Sequence, residues 1–228
     1  MSFLEFDGNK DFPYYNNNPK LSKTAWIVLL LSIPIGILLY VIFPSIMLGS
    51  IVFCLSMLIP LLYFSNWNYS LFIQKPTKNE IILGVLMFGG YLIYSITVGT
   101  ILDFITPTPE MPNEMLGITV EGTVSLIFSM MGEELVKFIP LMFFMRLVYK
   151  YSNNRKLAIV VSAIIVLTGF GLMHYAPPYT TLTSVLLIQG AGSIFEVYGY
   201  LKTKNIIVSY ISHLLTDAFV FITVLSGF

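Results

Sequence analysis

Long apolar segments, separated by short polar ones, follow one another along most of the chain. A helix needs about 20 mainly apolar residues to cross the hydrocarbon core of a bilayer. Seven segments of this kind can be distinguished, at roughly 24–43, 45–65, 81–102, 122–146, 157–175, 181–201 and 206–226. The pattern predicts an all-α fold, a polytopic membrane helix bundle with about seven transmembrane helices.

The polar stretch before the first segment is mixed in charge and contains the run Asn16-Asn17-Asn18. It predicts a flexible cytoplasmic tail over residues 1–23, followed by a transmembrane helical domain over 24–228. Only 11% of all residues are charged, whereas soluble domains carry about 25%. The composition is therefore typical of a membrane protein, whose surroundings are lipid.

Apart from Lys137, lysine and arginine occur only before the first segment and in alternate connections after it. The positions nearest to the apolar segments are Lys20, Lys23, Lys75, Lys78, Arg146, Lys150, Arg155, Lys156, Lys202 and Lys204. The intervening connections contain neither residue, and one of them carries the acidic residues Asp103, Glu110, Glu114 and Glu121. Because Lys and Arg favour the cytoplasmic side, the alternation predicts a cytoplasmic N-terminus and an external C-terminus.

The charge balance and the cysteine count argue against several classes of protein. The formal net charge is zero and there is no basic run, so nucleic acid is not an expected partner. The single cysteine, Cys54, has no intrachain disulfide partner. The sequence contains neither a His-Glu-x-x-His zinc helix nor a Gly-x-Ser-x-Gly turn, so it does not support the hydrolases that those motifs identify.

A few polar side chains interrupt the apolar segments and are the candidates for function. A charge at the centre of a bilayer costs at least about 2.5 kcal/mol, and such residues usually face the bundle interior. The set consists of Glu133, Glu134, Lys137, His174, Glu196, His213 and Asp217. Glu196 lies six residues before Lys202, so we expect it to snorkel towards the inner boundary, with Tyr198 and Tyr200 as interfacial aromatic residues.

Pairs of these residues are spaced by one helical turn. Glu133 and Lys137, Phe170 and His174, and His213 and Asp217 are each four residues apart, and such pairs share a helix face. Three helices could thus present polar groups to one interior site. The alternative is structural: Glu134 with Lys137 as a neutralising ion pair, and His213 with Asp217 as a hydrogen bond between neighbours.

The same residues resemble the CPBP intramembrane proteases, which include the CAAX prenyl protease type and bacterial relatives linked to bacteriocin processing and immunity. The matching motifs are Glu133-Glu134, Phe170-Gly-Leu-Met-His174 and His213-Leu-Leu-Thr-Asp217, in the family's order. The resemblance covers about residues 120–226. Phe138 stands where the family's first motif has arginine, and Lys137 makes that motif similar to the PrsW-type proteases.

The resemblance implies hydrolysis of a peptide bond in a peptide or protein substrate, within or beside a cell membrane. We expect Glu133 to be the general base that deprotonates a water molecule, with His174 and His213 holding that water and stabilising the oxyanion. Asp217 would orient His213, and Glu134 would pair with Lys137 or support a neighbouring helix. A bacterial source is an expectation from the family.

The alternative mechanism uses a metal. Two histidines and one carboxylate form a known catalytic zinc set, so zinc on His174, His213 and a carboxylate is a second possibility. Retained activity in strong chelators would argue against it.

Two other functions remain open from the sequence. Buried Glu, His and Asp also form proton relays, which predicts a proton-coupled transporter, and a non-catalytic immunity protein could use the same scaffold. On straight helices, Glu133, His174 and His213 would lie about 20, 27 and 14 Å from the nearest basic loop residue. These unequal depths favour a relay unless tilt or an irregular segment brings the three side chains together.

Overall fold

The computed structural model describes residues 10–17, 19–113 and 116–227, and within these ranges the architecture is helical. We number its long helices α1 Lys23–Ile42, α2 Ile46–Phe64, α3 Lys78–Ile105, α4 Val120–Ser152, α5 Arg155–Met173, α6 Leu182–Thr203 and α7 Ile206–Leu225. Six of them, all except α4, are long and apolar enough to cross a membrane. The predicted all-α polytopic membrane bundle is confirmed. Of the predicted acidic connection, Glu114 lies outside the described residues.

Polar residues at the helix starts explain where the spans begin. The first backbone N–H groups of a helix have no partner within it, and Ser, Thr and Asn side chains supply one. Ser22 accepts a hydrogen bond from the Ala25 amide at the start of α1, and Thr77 with Glu80 forms a reciprocal capping box at the start of α3. These polar caps occur where the apolar segments of the sequence begin.

Helix α4 packs against α1, α2, α5 and α7 and forms the centre of the bundle. Helices associate in lipid through close packing that small residues permit. Gly132 is such a residue, because a Cβ atom there would lie 2.5 Å from the ring of Phe53 on α2. The close approach places the middle of α4, which carries Glu133, Glu134 and Lys137, inside the protein.

Helix α6 is irregular where it meets α5. Its first turn, Leu182–Ser184, continues into a widened π-helical stretch, Val185–Gly190, and a tight 3₁₀ turn, Ala191–Ser193, before regular helix resumes at Ile194–Thr203. A Cβ atom on Gly171 of α5 would lie 2.9 Å from the Cα atom of Gly190. Such π-helical turns are frequent at functional sites, and this one ends six residues before Glu196.

The segment before α1 packs against the bundle. Phe12 and Tyr14 are 2% and 1% exposed, Arg155 forms an ion pair with Asp11 at 2.7 Å, and the phenol of Tyr14 lies 2.6 Å from Oγ of Ser65. The sequence analysis expected a flexible tail over residues 1–23 and did not include this packing. That expectation rested on the charges and asparagines of the segment and did not consider the aromatic residues between them. Residues 1–9 and 18 lie outside the described residues.

Candidate active site

A cavity of about 370 Å³ lies between α4, α5, α6 and α7. It brings together residues that the sequence analysis took from separate helices, and its ionisable lining side chains other than tyrosine are Glu133, His174, Glu196, His213 and Asp217. The unequal depths estimated on straight helices therefore do not keep the three motifs apart. Glu134, the remaining predicted site residue, lies behind the cavity wall formed by His213.

His213 lies at the centre of the site and contacts carboxylates through both ring nitrogens. Its Nδ1 is 2.9 Å from Oε1 of Glu134, and its Nε2 is 3.7 Å from Oε2 of Glu133 and 3.8 Å from Oδ2 of Asp217. A carboxylate accepts hydrogen bonds, so the Glu134 contact assigns a proton to Nδ1. Nε2 then faces the two cavity carboxylates, and its distances to them exceed direct hydrogen-bond length.

The adjacent residues Glu133 and Glu134 have different environments. The side chain of Glu133 is 24% exposed and that of Glu134 only 4%, because consecutive helix positions point about 100° apart. Glu134 accepts a hydrogen bond from the hydroxyl of Ser209 on α7, in addition to its contact with His213. Glu133 is thus the member of the pair that water in the cavity can reach.

Lys137 neutralises the buried carboxylates. Its ammonium group lies 2.6 Å from Oε1 of Glu134 and also donates to Oε2 of Glu196 on α6. Buried charges are retained only when they are paired and hydrogen-bonded, and Lys137 is itself 2% exposed. The predicted pairing of Glu134 with Lys137 is present in the structure, with Glu196 as a second partner.

The prediction that Glu196 snorkels towards the membrane boundary is wrong. Glu196 is 2% exposed and points inward, where the ammonium group of Lys137 is a closer partner than the interface. Tyr200, which was expected to be interfacial, is 3% exposed; its ring packs tilted against Phe12 and edge-on against Phe138. The irregular turns of α6 before residue 194 set these directions, and periodicity alone does not reveal them.

His174 lies directly after the last residue of α5, where the helix has ended. Its Nδ1 is 2.9 Å from the carbonyl oxygen of Phe170. Because a carbonyl accepts, Nδ1 carries the proton, and Nε2 is left for the cavity. The ring of Phe170 packs edge-on against His174 at 4.8 Å and His213 at 6.3 Å between centroids, and Lys137 Nζ lies 4.6 Å from its centre. Phe170 thereby separates the two imidazoles and fixes their orientation.

One contributor was missed by the sequence analysis, and another was named but wrongly placed. Ser209, which binds Glu134, lies four residues before His213 and so shares its face of α7; that spacing was a usable signal. Glu196 was among the candidates, but its partner was not recognised, although a carboxylate inside an apolar segment needs a cation. Phe170 was recognised as part of a motif, without a role.

The predicted zinc ligands His174, His213 and a carboxylate line one cavity, and a different group lies most tightly together. Among the described residues, one group of three metal-binding side chains lies with its ligand atoms within 4.8 Å of one another, and it consists of Glu134, Glu196 and His213. It lacks His174. The ammonium group of Lys137 contacts both carboxylates and lies 3.4 Å from Nδ1 of His213, so a cation already holds this position. This group is thus not the predicted set, and zinc on His174, His213 and a carboxylate stays a prediction.

A comparison with protein families gives a match to a protease family. A family model described as Rce1-like, type II CAAX prenyl endopeptidase, matches residues 115–219, a stretch that includes all three motifs. No curated protein and no solved structure matches the chain. The likeness of the first motif to PrsW-type proteases stays a prediction. Residues 115–219 carry the sequence pattern of the Rce1-like type II CAAX prenyl endopeptidases, and the resemblance to this protease family is confirmed over that part of the chain.

Proposed function

We propose that this chain is an intramembrane endopeptidase in which Glu133 activates a water molecule for attack on a peptide carbonyl. The family match supports membrane endopeptidase activity in general. The position of Glu133 carries the mechanism: it lines the cavity, it is the accessible member of its pair, and its Oε2 lies 3.7 Å from Nε2 of His213.

The reacting water fits between the groups around Nε2 of His213. Glu133 and Asp217 lie 3.7 and 3.8 Å from this nitrogen, too far for a direct hydrogen bond, so a water beside them in the cavity can complete the contact. With its proton on Nδ1, His213 accepts from the water at Nε2 while Glu133 accepts the second water proton. Asp217 orients the water or the substrate amide from the other side. Glu134 is a positioning residue, since it holds the ring of His213 through Nδ1.

The proposed steps use only the side chains of this protein, the water molecule and the substrate. Glu133 takes a proton from the water as its oxygen bonds to the carbonyl carbon, and the carbonyl oxygen becomes negative. His174, which lines the same cavity, stabilises that oxyanion; one group of this kind contributes about 10²- to 10³-fold in rate. When the C–N bond breaks, Glu133 returns the proton to the leaving nitrogen.

The test is a pair of matched glutamate-to-glutamine variants in the purified protein. Glu133→Gln removes the base and keeps the shape, so cleavage of a mixture of synthetic peptides, followed by mass spectrometry, should fall by about 10²-fold or more. Glu80→Gln is the control at the far end of the bundle, because glutamine preserves the capping box with Thr77. Unchanged cleavage by Glu133→Gln would contradict the proposal.

A proton relay made from the same side chains finds less support. A relay needs a polar path through the whole bundle, and on the far side of Lys137 from the cavity the rings of Phe72, Phe138 and Tyr200 are 0%, 3% and 3% exposed. Proteoliposomes containing the protein should therefore show no more proton flux than empty ones. Full biological function of Glu133→Gln would instead favour the non-catalytic immunity protein.

A further inference from the structure

The connections between helices separate into two ends of the bundle that differ in charge. One end, called the basic end here, contains the segment before α1 and the α2–α3, α4–α5 and α6–α7 connections. Contacts tie these together: Arg155 binds Asp11 at 2.7 Å, and Asn205 exchanges two hydrogen bonds with the backbone of Gln74. The other, acidic end contains the α1–α2, α3–α4 and α5–α6 connections, where Ser45 binds Glu121 at 2.7 Å.

The cavity lies on the acidic side of the bundle. Its lining residues on α4 run from Gly122 to Glu133, and those on α7 from His213 to Phe221. Helix α4 begins at the acidic end and α7 finishes there, so both stretches are the halves nearest that end. Residues 116–118, in the connection that precedes α4, also line the cavity. The cavity therefore leads from His213 to the loops of the acidic end.

The basic end is closed beneath the buried charges of Glu134, Lys137 and Glu196. Phe72, Phe138 and Tyr200 pack ring against ring directly beyond Lys137, and Phe12 from the segment before α1 covers Tyr200, with 5.7 Å between ring centroids. Phe72 and Phe12 are 0% and 2% exposed. A peptide could not reach Glu133 from this side without displacing these rings.

We propose that the active site receives its substrate from the extracytoplasmic face of the membrane. This inference rests on the proposed function and adds the side and the substrate class. Lys and Arg favour the cytoplasmic side of a membrane, so the basic end faces the cytoplasm. The acidic end and the mouth of the cavity then face outward. The substrate is then an external peptide segment, either of an exported peptide or next to the membrane anchor of another protein.

The charges of the cavity further narrow the substrate class. Its lining contains the carboxylates of Glu133, Glu196 and Asp217, and among the lining residues there is no lysine or arginine. Lys137 offsets Glu196 from behind. Two further acidic residues lie near this end: Asp103 in the last turn of α3 and Glu110 in the connection that follows it. An acidic cleft attracts cationic ligands and repels anionic ones, so the preferred segment carries Lys or Arg near the scissile bond.

The orientation can be tested by cysteine labelling in intact bacterial cells that express the chain. Leu116 at the mouth and Tyr151 at the basic end are 46% and 77% exposed, whereas the natural Cys54 is 4% exposed and serves as the unlabelled control. A membrane-impermeant maleimide should label Leu116→Cys in intact cells and Tyr151→Cys only after permeabilisation. The reverse pattern would overturn the inference whether or not cleavage is observed.

Cleavage then tests the side and the charge preference. Quenched fluorescent peptides flanked by Lys and Arg, or by Asp and Glu, are added to spheroplasts, to inverted vesicles and to detergent-solubilised protein, with Glu133→Gln as the background control. We expect spheroplasts, and not inverted vesicles, to cleave the basic peptide, about tenfold faster than the acidic one. Cleavage in detergent and inverted vesicles alone would overturn the inference and leave the proposed function standing. Absence of cleavage in detergent would contradict the proposed function itself.

Discussion

Glu133 and Glu134 are neighbours in the sequence, yet they meet opposite nitrogens of the same imidazole. Oε1 of Glu134 lies 2.9 Å from Nδ1 of His213, and Oε2 of Glu133 lies 3.7 Å from Nε2. The ring thus stands between a buried carboxylate that fixes it and an accessible one that can share a water with it. In this arrangement Glu134 positions the ring of His213, and Glu133 is the general base of the proposed mechanism.

Changing each glutamate to glutamine should therefore have different effects on activity and on stability. Glu133→Gln should keep the unfolding temperature of the wild type, because its side chain is 24% exposed in the cavity and makes no short ion pair. Glu134→Gln removes the carboxylate that Lys137, His213 and Ser209 share. We expect it to lower the unfolding temperature as well as activity. Thermal unfolding in detergent is the measurement, and equal unfolding temperatures for the two variants would contradict the assignment.

Lys137 should be the most sensitive position for stability. Lys137→Met leaves Glu134 and Glu196 buried without their cation, and breaking a buried ion pair from one side costs about 3–5 kcal/mol. The double variant Lys137→Met/Glu196→Gln removes one orphaned carboxylate, so it should recover part of that loss. Chemical unfolding of both variants in the same detergent measures the difference. If Lys137→Met alone were as stable as the wild type, the ion pairs of Lys137 with Glu134 and Glu196 would not stabilise the fold.

Much of the fold follows from the sequence because lipid imposes a simple rule on each span. The apolar segment predicted at 206–226 and the observed helix Ile206–Leu225 differ by one residue at one end, since polar caps such as Asn205 mark where the chain leaves the membrane. His213 and Asp217 could also be paired from their spacing of one turn. Both inferences use information contained within a single helix.

Contacts between helices were harder to predict. Glu196 was expected at the interface from its distance to Lys202, and it instead meets Lys137, 59 residues earlier in the chain. The π-helical and 3₁₀ turns of α6 precede it and have no periodic signature. Phe12 and Tyr14 were overlooked for a similar reason, because their burial depends on surfaces of α4 and α6 that a pattern of charges does not describe.

Activity should survive removal of metal ions. The ammonium group of Lys137 already lies among Glu134, Glu196 and His213, 2.6 Å from Glu134 and 3.4 Å from His213, and a divalent ion there would be repelled by it. Peptide cleavage by protein dialysed against a strong chelator should therefore equal that of untreated protein, and elemental analysis should find less than one metal ion per chain. Loss of activity in the chelator that added zinc restores would favour the zinc mechanism instead.

Alkaline pH should release the segment before α1 through Tyr14. Burial raises the pKa of Tyr14 to about 12, and its hydroxyl donates to Ser65, whose own proton goes to the carbonyl of Leu61. A raised pKa means that the folded state favours the neutral phenol, so this contribution to stability is complete below the unfolded value of about 10 and disappears as pH rises towards 12. Tyr14→Phe should lose about 1 kcal/mol at neutral pH and show a shallower alkaline decline in thermal unfolding. Tyr151→Phe, at an exposed position, should keep the wild-type profile; an unchanged alkaline slope in Tyr14→Phe would show that Tyr14 is not the titrating group.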